Sequence, residues 1–170
     1  MRMFFLSTSF SRRLVSIAAI TFASACGSDS SVTGTTTTTG SFTVTLTGGS
    51  AGTYSGNATV SVNVSGLTTI ELGSSDGKFA LNLASRSTVR PAVGTYPIVS
   101  ASTAGTSWYL TATTNSAQNA YASMSGTLTI TSSSSSEVRG NFTFTGTPIL
   151  GGGATTAGSG SFVAVCSLSC

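Results

Sequence analysis

The sequence predicts an all-β domain: an antiparallel β-sandwich of about nine short strands, or the same strands closed into a β-barrel. Three observations carry this expectation. From Ser41 onward, apolar residues alternate with Thr and Ser at period two. The hydrophobic residues, 39% of the chain, are rich in β-branched and aromatic types that suit pleated, half-buried strands. Gly, Ser and Asp punctuate these runs at short intervals, and no helical period follows residue 25.

Taken in order, F-T-V-T-L-T places Phe42, Val44 and Leu46 on one face and threonines on the other. A-T-V-S-V-N-V-S repeats the pattern with Val60, Val62 and Val64. T-I-E-L and K-F-A-L-N-L follow, joined by G-S-S-D-G. Asp76-Gly77 signals a hairpin turn there, because glycine accepts positive φ. Phe79, Leu81 and Leu83 then face the core. In G-T-Y-P-I-V, Pro97 has no N–H to give a neighbour, which confines that strand to an edge or a bulge. W-Y-L-T-A-T, M-S-G-T-L-T-I-T, V-R-G-N-F-T-F-T and S-F-V-A-V-C complete the series and add Leu128, Ile130, Phe142, Phe144 and Phe162 to the core. Ser132 to Ser136 reads as a hairpin loop, and Gly151 through Gly160 as a longer mobile loop. One polar face per strand argues for antiparallel sheets. Two sheets burying their apolar faces make a sandwich, and closure makes a barrel. Residues 41–170 suffice for one such core.

Upstream of this domain, residues 1–25 have the three parts of an export signal. Arg2, Arg12 and Arg13 form a basic region, Leu14 to Phe22 an apolar one, and Ala23-Ser24-Ala25 a small-residue cleavage site. The apolar stretch is too short to span about 30 Å of hydrocarbon as a helix. A-S-A-C, ending at Cys26, resembles the lipobox of bacterial lipoproteins, with Ala23 where leucine is commoner. That resemblance implies acylation of Cys26 and cleavage just before it. The following G-S-D-S-S-V-T-G-T-T-T-T-T-G is too poor in apolar residues to order itself. It reads as a flexible tether over residues 26–40, with an end-to-end distance of roughly 20 Å. Gly27, rather than Asp, follows the cysteine, which by the enteric sorting rule implies the outer membrane. Secretion or a periplasmic location is the alternative.

Charge is scarce, at 6% of residues, and histidine is absent. After residue 25 the bases Lys78, Arg86, Arg90 and Arg139 balance the acids Asp29, Glu71, Asp76 and Glu137. The net charge of +3 therefore belongs to the export signal, and the remainder has no basic field to steer nucleic acid or an anionic membrane.

A wider resemblance follows from G-T-Y-P-I at 94–98, S-G-T-L-T-I-T-S at 125–132, V-R-G-N-F-T-F-T at 138–145 and G-S-F-V-A at 160–164. These resemble the C-terminal half of a family of small bacterial lipoprotein β-domains of unknown function, over roughly residues 41–165. The resemblance implies a sandwich on a lipid tether and brings no catalytic residue with it.

Chemistry is sparse. Without histidine, and with carboxylates in no metal-binding spacing, no metal or cofactor is expected. Glu71 points outward between Ile70 and Leu72, and Asp76 belongs to its turn, so a paired-carboxylate site is not expected. Serines are plentiful, but no G-x-S-x-G elbow accompanies them, and Lys78, beside the turn, is the sole lysine. The expectation is a non-enzymatic structural or binding role. Aromatic residues supply the candidates for ligand contact. Trp108 and Tyr109 are neighbours on a strand and face opposite sides, and Tyr96 could join whichever is exposed in stacking on a glycan. Arg86 and Arg90 could clamp an anion if extended, or sit in a solvated loop. Cys166 and Cys170 are a disulfide candidate in an exported protein. If extended, however, C-S-L-S-C would hold its ends about 13 Å apart, so a bridge needs the chain to turn. The partners expected are the membrane, through the N-terminal lipid, and a glycan or another envelope protein. Exposed edge strands raise the further expectation of an envelope assembly subunit.

Overall fold

The structure, a computed structural model, describes residues 39–170 other than 102–105, 116–118, 151–152 and 168–169. The expected export signal, Cys26 and most of the tether lie outside the described residues.

Nine strands follow the nine sequence runs: β1 (Ser41–Gly48), β2 (Gly52–Asn63), β3 (Leu67–Ser74), β4 (Phe79–Ser85), β5 (Gly94–Val99), β6 (Tyr109–Thr114), β7 (Asn119–Ser133), β8 (Glu137–Pro148) and β9 (Thr156–Cys166). Of the two packings the pattern allows, closure is the one adopted. Strands β1-β2-β3-β4-β6-β7-β8-β9 pair antiparallel in a ring, and β9 returns to β1. The ring closes because β7, at 15 residues, is long enough to pair β8 along one edge and both β6 and β5 along the other. An eight-stranded barrel is just wide enough for its interior to be filled by side chains. Here Val44, Leu46, Val60, Ile70, Leu72, Leu83, Leu110 and Leu128 form one buried cluster with Phe42, Phe79, Phe142, Phe144 and Phe162.

The β8–β9 wall explains why glycine is so common in those strands. Three inward-facing cross-strand pairs each join a glycine to a phenylalanine: Gly140 to Phe162, Phe142 to Gly160 and Phe144 to Gly158. Each ring lies over the bare backbone opposite. A Cβ on Gly158 would come within 2.3 Å of the Phe144 ring. The run Ala157–Gly160, expected to be loop, is therefore strand, and the loop ends before Thr156. Its glycines make room for rings.

One other expectation is corrected. Val62 is only half-buried and Val64 is 96% exposed. The alternation stops at Asn63, whose side-chain oxygen accepts from Ser65 N at 2.8 Å and whose carbonyl accepts from Gly66 N at 3.0 Å. Val64 stands at the tip of that turn. The remaining expected core residues are buried. The D-G hairpin forms as read: Gly77 has φ +70°, and Asp76 Oδ1 accepts from Ser74 Oγ at 2.7 Å and Lys78 N at 3.0 Å. The serine run closes the β7–β8 hairpin, with Ser134 N donating to Glu137 O at 2.9 Å.

The barrel has two rims. The distal rim carries the β1–β2, β3–β4, β6–β7 and β8–β9 connections. The proximal rim carries the β2–β3 turn, the β4–β5 connection, the β7–β8 hairpin and the end of β9. The chain joins the wall at Gly40, wedged between β2 and β9. A side chain there would strike the Ala58 and Val163 carbonyls. Just beyond that wedge β9 pairs directly with β2, parallel, through Thr59–Val165 and Val60–Cys166.

Candidate functional site

Two strands share one edge of β7. On the edge of β7, β6 pairs with Ala122 and the residues before it, while β5 pairs from Ser125 to Ile130. The other edge of β5 forms a parallel bridge from Ile98 to Trp108, just before β6, where Val99 N donates to Trp108 O and Trp108 N to Pro97 O. Pro97 thus sits on a terminal strand, where its missing N–H costs no ladder bond. Residues 86–93 fill the seam between β4 and β5.

This segment is held by side chains rather than by a ladder. Thr68 Oγ1, fully buried, lies 2.9 Å from Ser87 O and 3.2 Å from Val89 O and donates to them. Tyr96 OH donates to Ala92 O at 2.8 Å. Arg90 is the main fastening. Its Nε donates to Ser133 Oγ at 3.1 Å and a terminal nitrogen donates to Cys170 O at 2.9 Å. The segment is thereby tied to the end of β7 and to the disulfide that joins Cys166 to Cys170, whose Cα atoms are 5.9 Å apart. The required turn begins at Ser167, whose N–H donates to Val60 O at 3.0 Å.

Two hollows flank Val89 and Arg90. One, of about 180 Å³, lies in the seam and is lined by Ser85, Ser87, Pro91, Ala92, Tyr96 and Trp108 with them. The other, of about 440 Å³, opens on the proximal rim between Val62, Val64, Thr88 and Cys170.

The aromatic candidates divide. Trp108 and Tyr96 both face inward at the seam, with ring centroids 6.5 Å apart at 65°. Trp108 is buried and Tyr96 half-buried. Tyr109 lies on the opposite, outer face of the wall, so the three do not make one stacking platform. Arg86 and Arg90 do not make a clamp either: Arg86 is exposed, while Arg90 is engaged with Ser133 and Cys170.

The carboxylates are dispersed. Thr59 pairs with Glu71 on one side and Val165 on the other, and Val165 pairs with Glu137. Glu71 and Glu137 are therefore three strand spacings apart on the outer face, about 14 Å between backbones. Asp76 is on the distal rim. Its carboxyl titrates below its ordinary 3.8, first because Ser74 Oγ donates to it, then because Lys78 N does. The Glu137 carboxylate beside Arg139 raises the guanidinium's affinity for its proton. Among the described residues, no three His, Cys, Asp or Glu side chains gather as a metal would require.

Sequence reasoning missed segment 86–93 as a structural unit. The signal present was the loss of alternation between Ser85 and Gly94, with Pro91 in the middle. No family model, curated protein or solved structure matches this chain.

Proposed function

We propose that the chain is a lipid-anchored cell-envelope protein whose β-barrel has a non-enzymatic structural or binding role. The observation that carries this reading is the filled interior. Apolar side chains occupy the space a ligand-carrying barrel would leave open. Glu71 and Glu137 stand on non-adjacent strands of the outer face, with backbones about 14 Å apart. The lipobox-like A-S-A-C and the tether supply the anchor, and envelope retention follows from two or more acyl chains at about 0.8 kcal/mol per buried methylene. Metabolic acyl labelling of the wild type and Cys26→Ser tests the reading: label is expected in the first alone. Equal labelling of both would remove the anchor.

The seam hollow favours one second reading, recognition of a small glycan by Tyr96 from an edge beside Arg90 and Ser87. Glycan arrays test it: binding lost in Tyr96→Ala supports it, and an array without hits ends it.

A further inference from the structure

We propose that the proximal rim lies against the membrane surface, with Val64, Val89 and Val93 in the headgroup region and Arg86 facing anionic lipid phosphates. This deepens the lipid-anchor reading and rests on it. Three large apolar side chains stand out from this rim, at 96%, 68% and 65% exposure. Val64 and Val89 border the same hollow, and Val93 belongs to the same segment as Val89. Exposed valines at turn tips gain nothing from water, and a bilayer interface is an environment that buries them.

Charge points the same way. Among the described residues the ion pairs are Lys78–Asp76, on the distal rim, and Arg139–Glu137, near the proximal one. Each pair cancels itself. Arg90 is engaged with Ser133 Oγ and Cys170 O, and Arg86 has no carboxylate partner among those residues. Arg86, exposed, is free to meet phosphate, and a basic side chain near an anionic leaflet is attracted to it.

The path of the chain selects this rim over the other. Strand β1 runs from Gly40 toward the distal rim, so its first residue is the end nearer the proximal rim. From Gly40 to the proximal end of β9 is about 10 Å, the rise of Val163 to Cys166. To the distal end of β1 it is about 26 Å. A tether whose root-mean-square end-to-end distance is roughly 20 Å spans the first without stretching, whereas the second asks it to extend beyond that mean and so costs chain entropy. The distal rim also exposes apolar residues, Ile149 and Leu150 at 53% and 74%, and so provides an internal control.

The test places single tryptophans by Val64→Trp, Val89→Trp and Leu150→Trp in the protein as cells process it, held on vesicles through Cys26. Mass spectrometry first reads the acyl state. If Cys26 proves unacylated, the anchor reading fails, and its thiol is coupled to a maleimide lipid so that docking is still measured. Vesicles contain brominated phospholipid with or without phosphatidylglycerol, and Trp108, buried, gives a constant background. On anionic vesicles, quenching at positions 64 and 89 should be roughly twofold or more that at position 150. Adding Arg86→Glu should lower it there and leave it unchanged on zwitterionic vesicles. Equal quenching at all three positions, or more at position 150, overturns the proposal.

Discussion

The two rims are closed by different means. Among the described residues, the distal rim is closed by the β1–β2 and β3–β4 turns and by satisfied hydroxyls: Ser50 Oγ lies 2.7 Å from Tyr121 OH, and Thr114 Oγ1 donates to Ser50 Oγ at 3.0 Å. All three residues are buried, and Thr156 Oγ1 adds a bond to Thr47 O at 2.9 Å. The proximal rim is closed by an irregular segment, one arginine and a disulfide, and hollows remain beside them. The difference teaches where this barrel can change. A rim of short turns and paired hydroxyls has few ways to vary without exposing an unpaired polar group. A rim held by long side chains can vary its surface while the wall stays closed, which is the usual division between scaffold and recognition loop.

The largest expected effect removes the core that both rims share. Phe142 is fully buried between the rings of Phe144 and Phe162. Phe142→Ala should cost about 3–5 kcal/mol. Urea unfolding followed by Trp108 emission and by circular dichroism should give one coincident, lowered midpoint. A loss below about 1 kcal/mol would mean that this wall does not bear on the core as described.

Next, Ser50→Ala acts on the distal rim alone. It leaves Tyr121 OH and Thr114 Oγ1 without their partner, at about 2–3 kcal/mol. Adding Tyr121→Phe should restore part of that loss, because the phenolic group no longer needs a partner. Strict additivity in the double-mutant cycle would show that the hydroxyls are independent.

Removing the disulfide with Cys166→Ser and Cys170→Ser acts on the proximal rim. The two residues are only 4 apart in sequence, so the loop-entropy contribution is about 2 kcal/mol. Hydrogen exchange should quicken in residues 86–93, whose Arg90 leans on Cys170 O, and leave the β1–β2 turn unchanged. Quickening at both rims would erase the distinction between them.

The sequence announced the wall and concealed the seam, for physical reasons. Alternation is local, so Phe42, Val44 and Leu46 declare their strand without help from partners. Closure depends on register between residues far apart, such as Gly126 with Phe144, and no local pattern carries it. Glycine misled for a related reason. In β9, Gly158 and Gly160 look like loop residues until the facing rings of Phe144 and Phe142 are known. Val64 continued a perfect alternation that Asn63 ended by capping a turn. The meeting of Tyr96 with Trp108 was equally out of reach, because it arises from β5 and β6 sharing one edge of β7. Asp76-Gly77, by contrast, was fully legible, since its turn is made by its own side chains.

That turn gives the smallest effect and the cleanest sign. Asp76 is exposed on the distal rim, yet its carboxylate accepts from Ser74 Oγ and Lys78 N. These donors favour the ionised form and depress its pKa below 3.8 in the folded state. A depressed carboxylate pKa contributes stability that is present above the unfolded-state value and lost as pH falls through the folded-state value. Asp76→Asn should therefore melt slightly below the wild type near about pH 6, with the two curves converging near about pH 2. Lys78→Met should narrow the gap only a little, since the lysine's charge acts less on Asp76 than Ser74 Oγ does, and Ser74→Ala should narrow it more. A gap unchanged across the whole range would trace the difference to the shape of the turn, and the local hydroxyl would lose its part in holding this rim.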